Sequence, residues 1–153
     1  MIYSCLDEAL KDIESTNIFS IEELIKHYDV SVNYGAMTDN IDGFSVPSVR
    51  AIFIDQWYAD RPEANYPLAH ELTHCLLDDE ACPLINDSFT FDSKVENNAD
   101  IGALYLLARQ YSNLNDVDYK DIAPYTLLDR YSVSSKHYLQ SEIALRKLCK
   151  IMA

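Results

Sequence analysis

The chain has 153 residues, of which 48% are hydrophobic, and it carries 25 acidic against 12 basic side chains. This length and composition predict one globular domain with its own core and exclude a disordered acidic tail. The net charge of −13 argues against direct nucleic-acid binding, because an acidic surface repels phosphate groups. The acidity favours solubility, and it is compatible with a basic protein partner.

The cysteine pattern and the N-terminal residues predict a cytoplasmic protein. The four cysteines are Cys5, Cys75, Cys82 and Cys149. No two of them form a C-x-x-C pair, so we expect four reduced thiols. Residues 1–8 contain acids and lack the apolar segment of a signal peptide. The longest apolar run, residues 103–108, is too short to span a membrane, so we expect no membrane partner.

The first third of the chain predicts two helices and then a small sheet. An amphipathic pattern predicts a helix over residues 2–13. Ser20 and Glu23 form a capping-box signature for a second helix that ends at Tyr28. Three β-like runs separated by turn residues follow, at 30–34, 41–46 and 50–55. They predict a mostly antiparallel three-stranded sheet.

Helical patterns dominate the sequence from Asn65 onward. Pro67 suits the first turn of a helix that runs to about Leu77. Ser93 is a candidate N-cap for another helix, which we expect to end at Gln110.

The C-terminal part is predicted to be helical with one interruption. Pro124 breaks the pattern of residues 114–129, and Ser134 or Ser135 begins a final helix that runs towards Lys150. Because helices precede and follow the strands without alternating with them, the sequence predicts an α+β fold. The predicted single domain spans 1–153, with helices in 2–28, strands in 30–55, two motif-bearing helices in 66–110 and C-terminal helices in 114–150.

The most informative segment is His-Glu-Leu-Thr-His at 70–74, which matches the H-E-x-x-H pattern. Residues four apart on a helix lie one above the other, so His70 and His74 can ligate one metal ion. Glu71 lies about 100° around the helix, where it can act as a general base towards a water molecule. The opposite side of the helix is apolar and predicted to face the core, through Leu68, Leu72, Cys75 and Leu76. The pattern predicts a catalytic zinc site.

A catalytic zinc ion takes a third protein ligand, and the following helix offers one. Glu96 is the candidate ligand, and Asp100, one turn later, is a candidate to accept the free N–H of a zinc-bound histidine. The alternatives are a capping-box role for Glu96 and a surface position for Asp100. Competing acids lie on a predicted loop or near the next helix, namely Asp78, Asp79, Glu80, Asp87 and Asp92. Two histidines and a carboxylate also suit iron(II), although H-E-x-x-H on one helix favours zinc.

The two helices resemble those of the ImmA/IrrE family of small gluzincin-type peptidases. Members of that family pair an H-E-L-G-H-like helix with a helix of the form E-x-x-A-N-x-F-A-x-x-L-L. Residues 67–77 match the first pattern and residues 96–107 match the second. Residues 130–134 resemble the V-S entry to the last helices of the family. The resemblance covers about residues 20–148 and implies a zincin-like fold, in which the sheet packs against the H-E-x-x-H helix.

The sequence departs from the family pattern at a few positions. Thr73 stands where glycine is usual, Asp100 where asparagine is common, and Gly102 where an aromatic residue is common. Ala108 and Arg109 stand where the family often has Met-Pro. The predicted metal ligands are unaffected by these departures, but the substrate pocket is not defined by the resemblance.

The resemblance implies a zinc-dependent endopeptidase that makes specific cuts in a protein, such as a helix-turn-helix repressor of a bacterial mobile element. His70, His74 and Glu96 would hold the zinc ion, and Glu71 would be the catalytic base. The alternative is a non-proteolytic binding protein on the same fold, acting as an anti-repressor or a toxin–antitoxin partner. A further alternative is a metal hydrolase that does not act on peptide bonds.

Two details of catalysis are left open by the sequence. We expect the substrate to extend beside an edge strand, for which residues 50–55 are the candidate. The transition state also needs a donor for its oxyanion. The candidates are Tyr66, Tyr105, His137 and Tyr138.

Overall fold

A computed structural model describes residues 3–38, 41–77 and 89–152, with side chains described in the same ranges except 89–93. Within these residues the chain has an α+β fold, as predicted. The helices are α1 (Leu6–Thr16), α2 (Ile21–His27), α3 (Asn65–Leu77), α4 (Phe89–Asn115), α5 (Pro124–Arg130) and α6 (Tyr138–Met152). The strands are β1 (Ser31–Gly35), β2 (Gly43–Val46) and β3 (Ala51–Asp55). None of the helices described has the length and apolar character needed to cross a membrane.

The sheet is mixed, so the prediction of a mostly antiparallel sheet is wrong. Its strand order is β1-β3-β2, with β3 parallel to β1 and antiparallel to β2. A short 3-10 turn at Pro47–Val49 joins β2 to β3 and makes them antiparallel neighbours. The longer connection between β1 and β2 allows β3 to lie between them. The segment predicted as an edge strand, 50–55, therefore forms the central strand, and its backbone is paired on both sides.

The central position of β3 follows from its apolar sequence. Ile52 and Ile54 are fully buried, whereas both edge strands contain exposed residues. Arg50 precedes the strand with a φ of 50°, a left-handed conformation that is costly for a residue other than glycine. Its guanidinium compensates by donating through Nη2 to the carbonyl of Tyr28 at 2.8 Å, and its own carbonyl accepts from the N–H of Ser31 at 2.9 Å. These bonds join the turn to the end of α2.

Helix α1 begins at Leu6, later than the predicted helix over 2–13. Tyr3 lies outside the helix because its N–H donates to the carbonyl of Leu76, at 3.0 Å, and its hydroxyl donates to Asp12. Residue 2 lies outside the described residues. The N-terminal segment is thus tied to the end of α3 instead of extending α1.

Two predicted serine caps are present. The Oγ of Ser20 accepts the N–H of Glu23 at the start of α2, as predicted. The Oγ of Ser134 accepts the N–H of Lys136 and begins a 3-10 turn at Ser135–His137, which leads into α6. A 3-10 turn therefore precedes the final helix, whereas the prediction included these residues in the helix.

Two other helix starts differ from the predictions. Helix α4 begins at Phe89 and continues to Asn115, so Ser93 lies within the helix and is not its N-cap. Pro124, predicted as a break, is the first residue of α5. At that position a helix does not need the missing N–H group, so proline begins the helix and does not interrupt it.

Helix α3 is central to the packing: it contacts α4 and also lies against β2 and β3, while α4 packs against α6. The fully buried core side chains include Ile52 on β3, Leu72 and Leu76 on α3, and Leu104 and Leu107 on α4. Burial of an aliphatic side chain of this size contributes about 1.5–3 kcal/mol. The predicted apolar side of α3 is thus confirmed, with Cys75 also fully buried and Leu68 partly buried.

A buried ion pair joins α1 to α4. Arg109 is only 3% exposed, and its Nε donates to the carboxylate of Glu14. The same carboxylate accepts the hydroxyl of Tyr105 at 2.9 Å, and the Nη1 of Arg109 donates to the carbonyl of Ile18 at 2.6 Å. The guanidinium also lies over the ring of Phe19, with 4.7 Å to its centroid. These contacts satisfy a cation that would otherwise be buried without compensation.

We predict that Glu14→Ala lowers the free energy of unfolding by about 3 kcal/mol or more, because it leaves Arg109 buried without its counter-ion. The matched control is Glu142→Ala, which removes an exposed i,i+4 partner of Arg146 and should cost no more than about 0.5 kcal/mol. Urea denaturation followed by circular dichroism measures both. Equal losses for the two variants would contradict a structural role for the buried pair.

Candidate metal centre

The structure brings the three predicted metal ligands together. His70 and His74 lie one turn apart on α3, with 3.2 Å between their Nε2 atoms. Glu96 approaches from α4, with Oε2 at 2.9 Å from the Nε2 of His70 and Oε1 at 3.2 Å from the Nε2 of His74. These residues form a group that could hold a metal ion, with the ligating atoms all within 4.8 Å of one another.

The donors of this group suit a metal ion. Ligands at about 2.0–2.1 Å from a tetrahedral zinc ion lie about 3.3 Å from one another. The Nε2 atoms of the two histidines are 3.2 Å apart, whereas Glu96 contacts the two rings with different oxygens, Oε2 towards His70 and Oε1 towards His74. Two imidazole nitrogens and a carboxylate are the donor set of many catalytic zinc sites. The chemistry of the three donors and their separation of no more than 4.8 Å therefore fit a metal ion.

The other nitrogen of His70 faces Asp100, the residue predicted to orient a metal-bound histidine. Nδ1 of His70 lies 3.0 Å from Oδ1 of Asp100, although the ring N–H is not aligned as a regular hydrogen bond requires. Asp100 also accepts the hydroxyl of Tyr66 at 2.7 Å, and its Oδ2 lies 3.6 Å from Nδ1 of His137. Asp100 is thus not the isolated surface acid of the alternative interpretation.

Glu71 is buried beside the two histidines without a partner of its own. It is 8% exposed, and among the described residues its carboxylate has no hydrogen bond or ion pair. A carboxylate in this position is available to a small polar molecule that enters the site. This arrangement is what a general base adjacent to a metal would require.

The protonation of the metal-free site follows from its two carboxylates. Burial by itself lowers the pKa of His70, but the close carboxylates of Asp100 and Glu96 outweigh it and raise the pKa to about 10. Hydrogen bonds from His70 and His74 hold the pKa of Glu96 well below its usual value. For Asp100, burial raises the pKa, but the contacts with His70 and Tyr66 prevail and lower it. The metal-free site is therefore a cationic histidine held between anionic carboxylates.

The start of α4 removes the alternative role of Glu96. Because the helix begins at Phe89, Glu96 lies in its second turn and is too far from the end to belong to a capping box. The competing acids Asp78, Asp79, Glu80 and Asp87 lie outside the described residues, as does the side chain of Asp92.

The four candidate oxyanion donors differ in their surroundings. Burial and the nearby Asp100 raise the pKa of Tyr66 far above its usual value, and its hydroxyl donates to that carboxylate. Tyr105 is fully buried and donates to Glu14, as described above. The ring of Tyr138 packs against Tyr125, with 4.6 Å between the centroids. The remaining candidate, His137, is partly exposed beside Asp100.

Asn97 and Gln140 lie beside the ligands but were not predicted as site residues. A pocket of about 490 Å³ adjoins the ligands and is lined by Lys94, Glu96, Asn97, Asp100 and Gln140. Nε2 of Gln140 donates to Oδ1 of Asn97 at 3.0 Å, and Oε1 of Gln140 is buried without a partner among the described residues. Gln140 belongs to α6, and no spacing in the sequence relates it to α4. Only the packing of α6 against α4 places this amide at the site.

The distance between the helices that carry the ligands is set by Thr73 and Gly102. A Cβ atom at Gly102 would lie 2.5 Å from Cγ2 and 2.7 Å from Oγ1 of Thr73, so no larger residue fits there. The Oγ1 of Thr73 donates to the carbonyl of Ala69 at 2.8 Å, which fixes the side chain in this position. Thr73 and Gly102 are therefore complementary in size where α3 meets α4.

Three of the four cysteines lie in the described part of the chain. Cys5 is exposed, Cys75 is buried and Cys149 is partly buried. Cys82 lies outside the described residues. The expectation of four reduced thiols stays a prediction.

The chain matches no protein-family model, and no curated protein matches it. The resemblance to the ImmA/IrrE family therefore remains a prediction based on the motifs in α3 and α4.

We predict that Gly102→Ala destabilises the protein by about 1–3 kcal/mol, because the added methyl group overlaps Thr73. In a Thr73→Ala background the same substitution should cost less, since only Cβ of residue 73 remains near, at 3.2 Å. Thermal denaturation of the four proteins gives the coupling energy between the two positions. Additive effects would contradict the proposed steric contact.

We also predict that zinc binding at pH 7 releases about one proton, because metal ligation displaces the proton of His70, whose pKa is raised to about 10. Zinc affinity should accordingly increase as the pH rises towards that value. Calorimetry in two buffers of different ionisation enthalpy measures the released proton. The control is His27→Gln, which removes an exposed histidine on α2 and should release the same number. Identical heats in the two buffers would contradict the prediction.

Proposed function

We propose that this protein is a zinc-dependent endopeptidase with a zincin-like fold. The observation that supports the proposal is the group of His70, His74 and Glu96, whose ligand atoms lie within 4.8 Å of one another and form a donor set common in catalytic zinc sites. The second support is Glu71, a buried carboxylate without a partner in the described part of the chain, which follows His70 in sequence and acts electrostatically on its ring. An ordinary pair of helix histidines would not need a carboxylate from a second helix and a free acid beside it.

Each residue of the site has a role in this proposal. When bound, a zinc ion supplies Lewis acidity and lowers the pKa of a water molecule to about 7. Glu71 accepts a proton from the attacking water and delivers it to the leaving amine. His70, His74 and Glu96 hold the ion, and Asp100 keeps His70 oriented. His137 is the candidate donor to the oxyanion, because its Nε2 makes no hydrogen bond among the described residues.

The substrate in this proposal is an extended segment of another protein. The free edges of the sheet are β1 and β2, and an extended peptide can pair with such an edge. Of the two, β2 is the strand that packs against α3, so its edge is the proposed docking position. A net charge of −13 favours a basic partner, as a DNA-binding repressor of a mobile element would be. The proposed location is the cytoplasm, where such a partner is found.

We predict that zinc-reconstituted protein contains about one zinc ion per chain, as expected for a catalytic site with three protein ligands. His74→Ala and Glu96→Ala should each lose the metal, and Glu142→Ala should keep it as a control on an exposed carboxylate. Elemental analysis after dialysis gives the stoichiometry. A wild-type protein that retains no zinc would overturn the proposal.

Cleavage itself is tested with Glu71→Gln, which keeps the metal ligands and the shape of the side chain. The variant should bind zinc normally and lose cleavage of a proteome-derived peptide library by about 10²–10⁴-fold, since general base catalysis contributes about this much. Mass spectrometry of the products identifies the cut bonds. If the wild type binds zinc but cuts no peptide bond, the protein is a binding protein or a different hydrolase. The same follows if Glu71→Gln acts on the protein partner as the wild type does.

A further inference from the structure

Asp100 is contacted by three side chains from two separate elements. Tyr66 and His70 approach it from α3, and His137 approaches it from the turn before α6. The hydroxyl of Tyr66 and Nδ1 of His70 both contact the same oxygen, Oδ1, at 2.7 and 3.0 Å. His137 lies nearer the other oxygen, at 3.6 Å, which exceeds a hydrogen-bond distance. Tyr66 therefore makes the strongest bond that fixes the orientation of this carboxylate.

We propose that Tyr66 is a positioning residue for the metal centre, which acts by holding Oδ1 of Asp100 against Nδ1 of His70. The inference rests on the proposed function insofar as the three-residue group binds zinc. It assigns to Tyr66 a role different from the oxyanion donor that the sequence suggested. The hydroxyl proton of Tyr66 is directed to Asp100 in the structure, so it is not offered to a substrate.

The orientation of the Asp100 carboxylate is not fixed by its own covalent geometry. A carboxylate rotates readily about its last bond, because its terminal torsion is broad. Among the described residues, the hydroxyl of Tyr66 is the only regular hydrogen-bond donor to Asp100, since the N–H of His70 is imperfectly aligned and His137 is farther away. Without this hydroxyl, Oδ1 is free to leave the position that faces His70.

The consequence for the metal concerns the tautomer of His70. A ligand nitrogen must present its lone pair, so the proton of the neutral ring has to lie on Nδ1 when Nε2 ligates. A carboxylate beside Nδ1 stabilises that tautomer and makes the ring a better ligand. Nε2 of His70 is the atom that faces Glu96 and His74. Tyr66 thus acts on Nε2 of His70 indirectly: it holds Asp100, and Asp100 contacts Nδ1 on the other side of the ring.

The test is Tyr66→Phe, which removes one oxygen atom and keeps the ring. The matched control is Tyr105→Phe, which removes another buried tyrosine hydroxyl that donates to a carboxylate. That carboxylate belongs to Glu14 on α1, which is not part of the metal-binding group. Zinc affinity is measured by competition with a chromophoric chelator, using the zinc ion alone as the probe. Thermal melting of the metal-free proteins measures stability separately.

The expected result is a dissociation constant for zinc about tenfold higher in Tyr66→Phe, within the range found for groups that orient metal ligands. Tyr105→Phe should lower the melting temperature but leave zinc affinity unchanged. In an Asp100→Ala background, Tyr66→Phe should cause no further loss, because the group through which it acts is gone.

Three results obtained with the variants would overturn the inference. One is wild-type zinc affinity in Tyr66→Phe, and another is an equal loss in the Asp100→Ala background. The third is loss of the melting transition in metal-free Tyr66→Phe, which would make the hydroxyl a folding determinant. If the wild-type protein itself binds no zinc, the proposed function fails along with this inference. If the wild type binds zinc and Tyr66→Phe binds it equally well, only the role of Tyr66 is lost.

Discussion

The close packing of α3 against α4 is the constraint on which the candidate site depends, because neither helix carries a complete set of donors. Two imidazoles on α3 are a local consequence of helix geometry, but the carboxylate comes from α4. The contact between Thr73 and Gly102 sets how closely the helices approach, since a Cβ atom at position 102 would lie within 2.5 Å of the threonine side chain. A small residue on one helix and a branched residue on the other therefore determine the distance between Glu96 and the two histidines.

The features that follow from local sequence were predicted, and those that depend on long-range packing were not. The histidine pair, the apolar side of α3 and the cap at Ser20 depend only on residues within one or two turns. Glu96 was identified because its helix follows α3 directly. The mixed order of the sheet was not predicted. The spacing of residues along the sequence does not show that β3 lies between the two earlier strands. The burial of Ile52 and Ile54 gives the reason in retrospect, since the most apolar strand lies at the centre.

The length of α4 brings two polar side chains into the interior. The helix has no proline and continues unbroken to Asn115. Its last turns carry Arg109 and Gln110, which are buried and bind neighbouring helices. Oε1 of Gln110 accepts the N–H of Ile21 at 2.9 Å, and its amide group donates to Tyr131 at 3.2 Å. Arg109 and Gln110 thus attach α1, α2 and the end of α5 to one long helix.

The site is also not a module that could be excised or grafted. Helices α3 and α4 supply the donors, but His137 and Gln140 come from the last third of the chain and contact Asp100 and Asn97. A designer who transplanted the two motif-bearing helices into another scaffold would carry the ligands without the groups that surround them. The minimal transferable unit therefore includes the first turn of α6, although it lies more than forty residues from the nearest ligand in sequence.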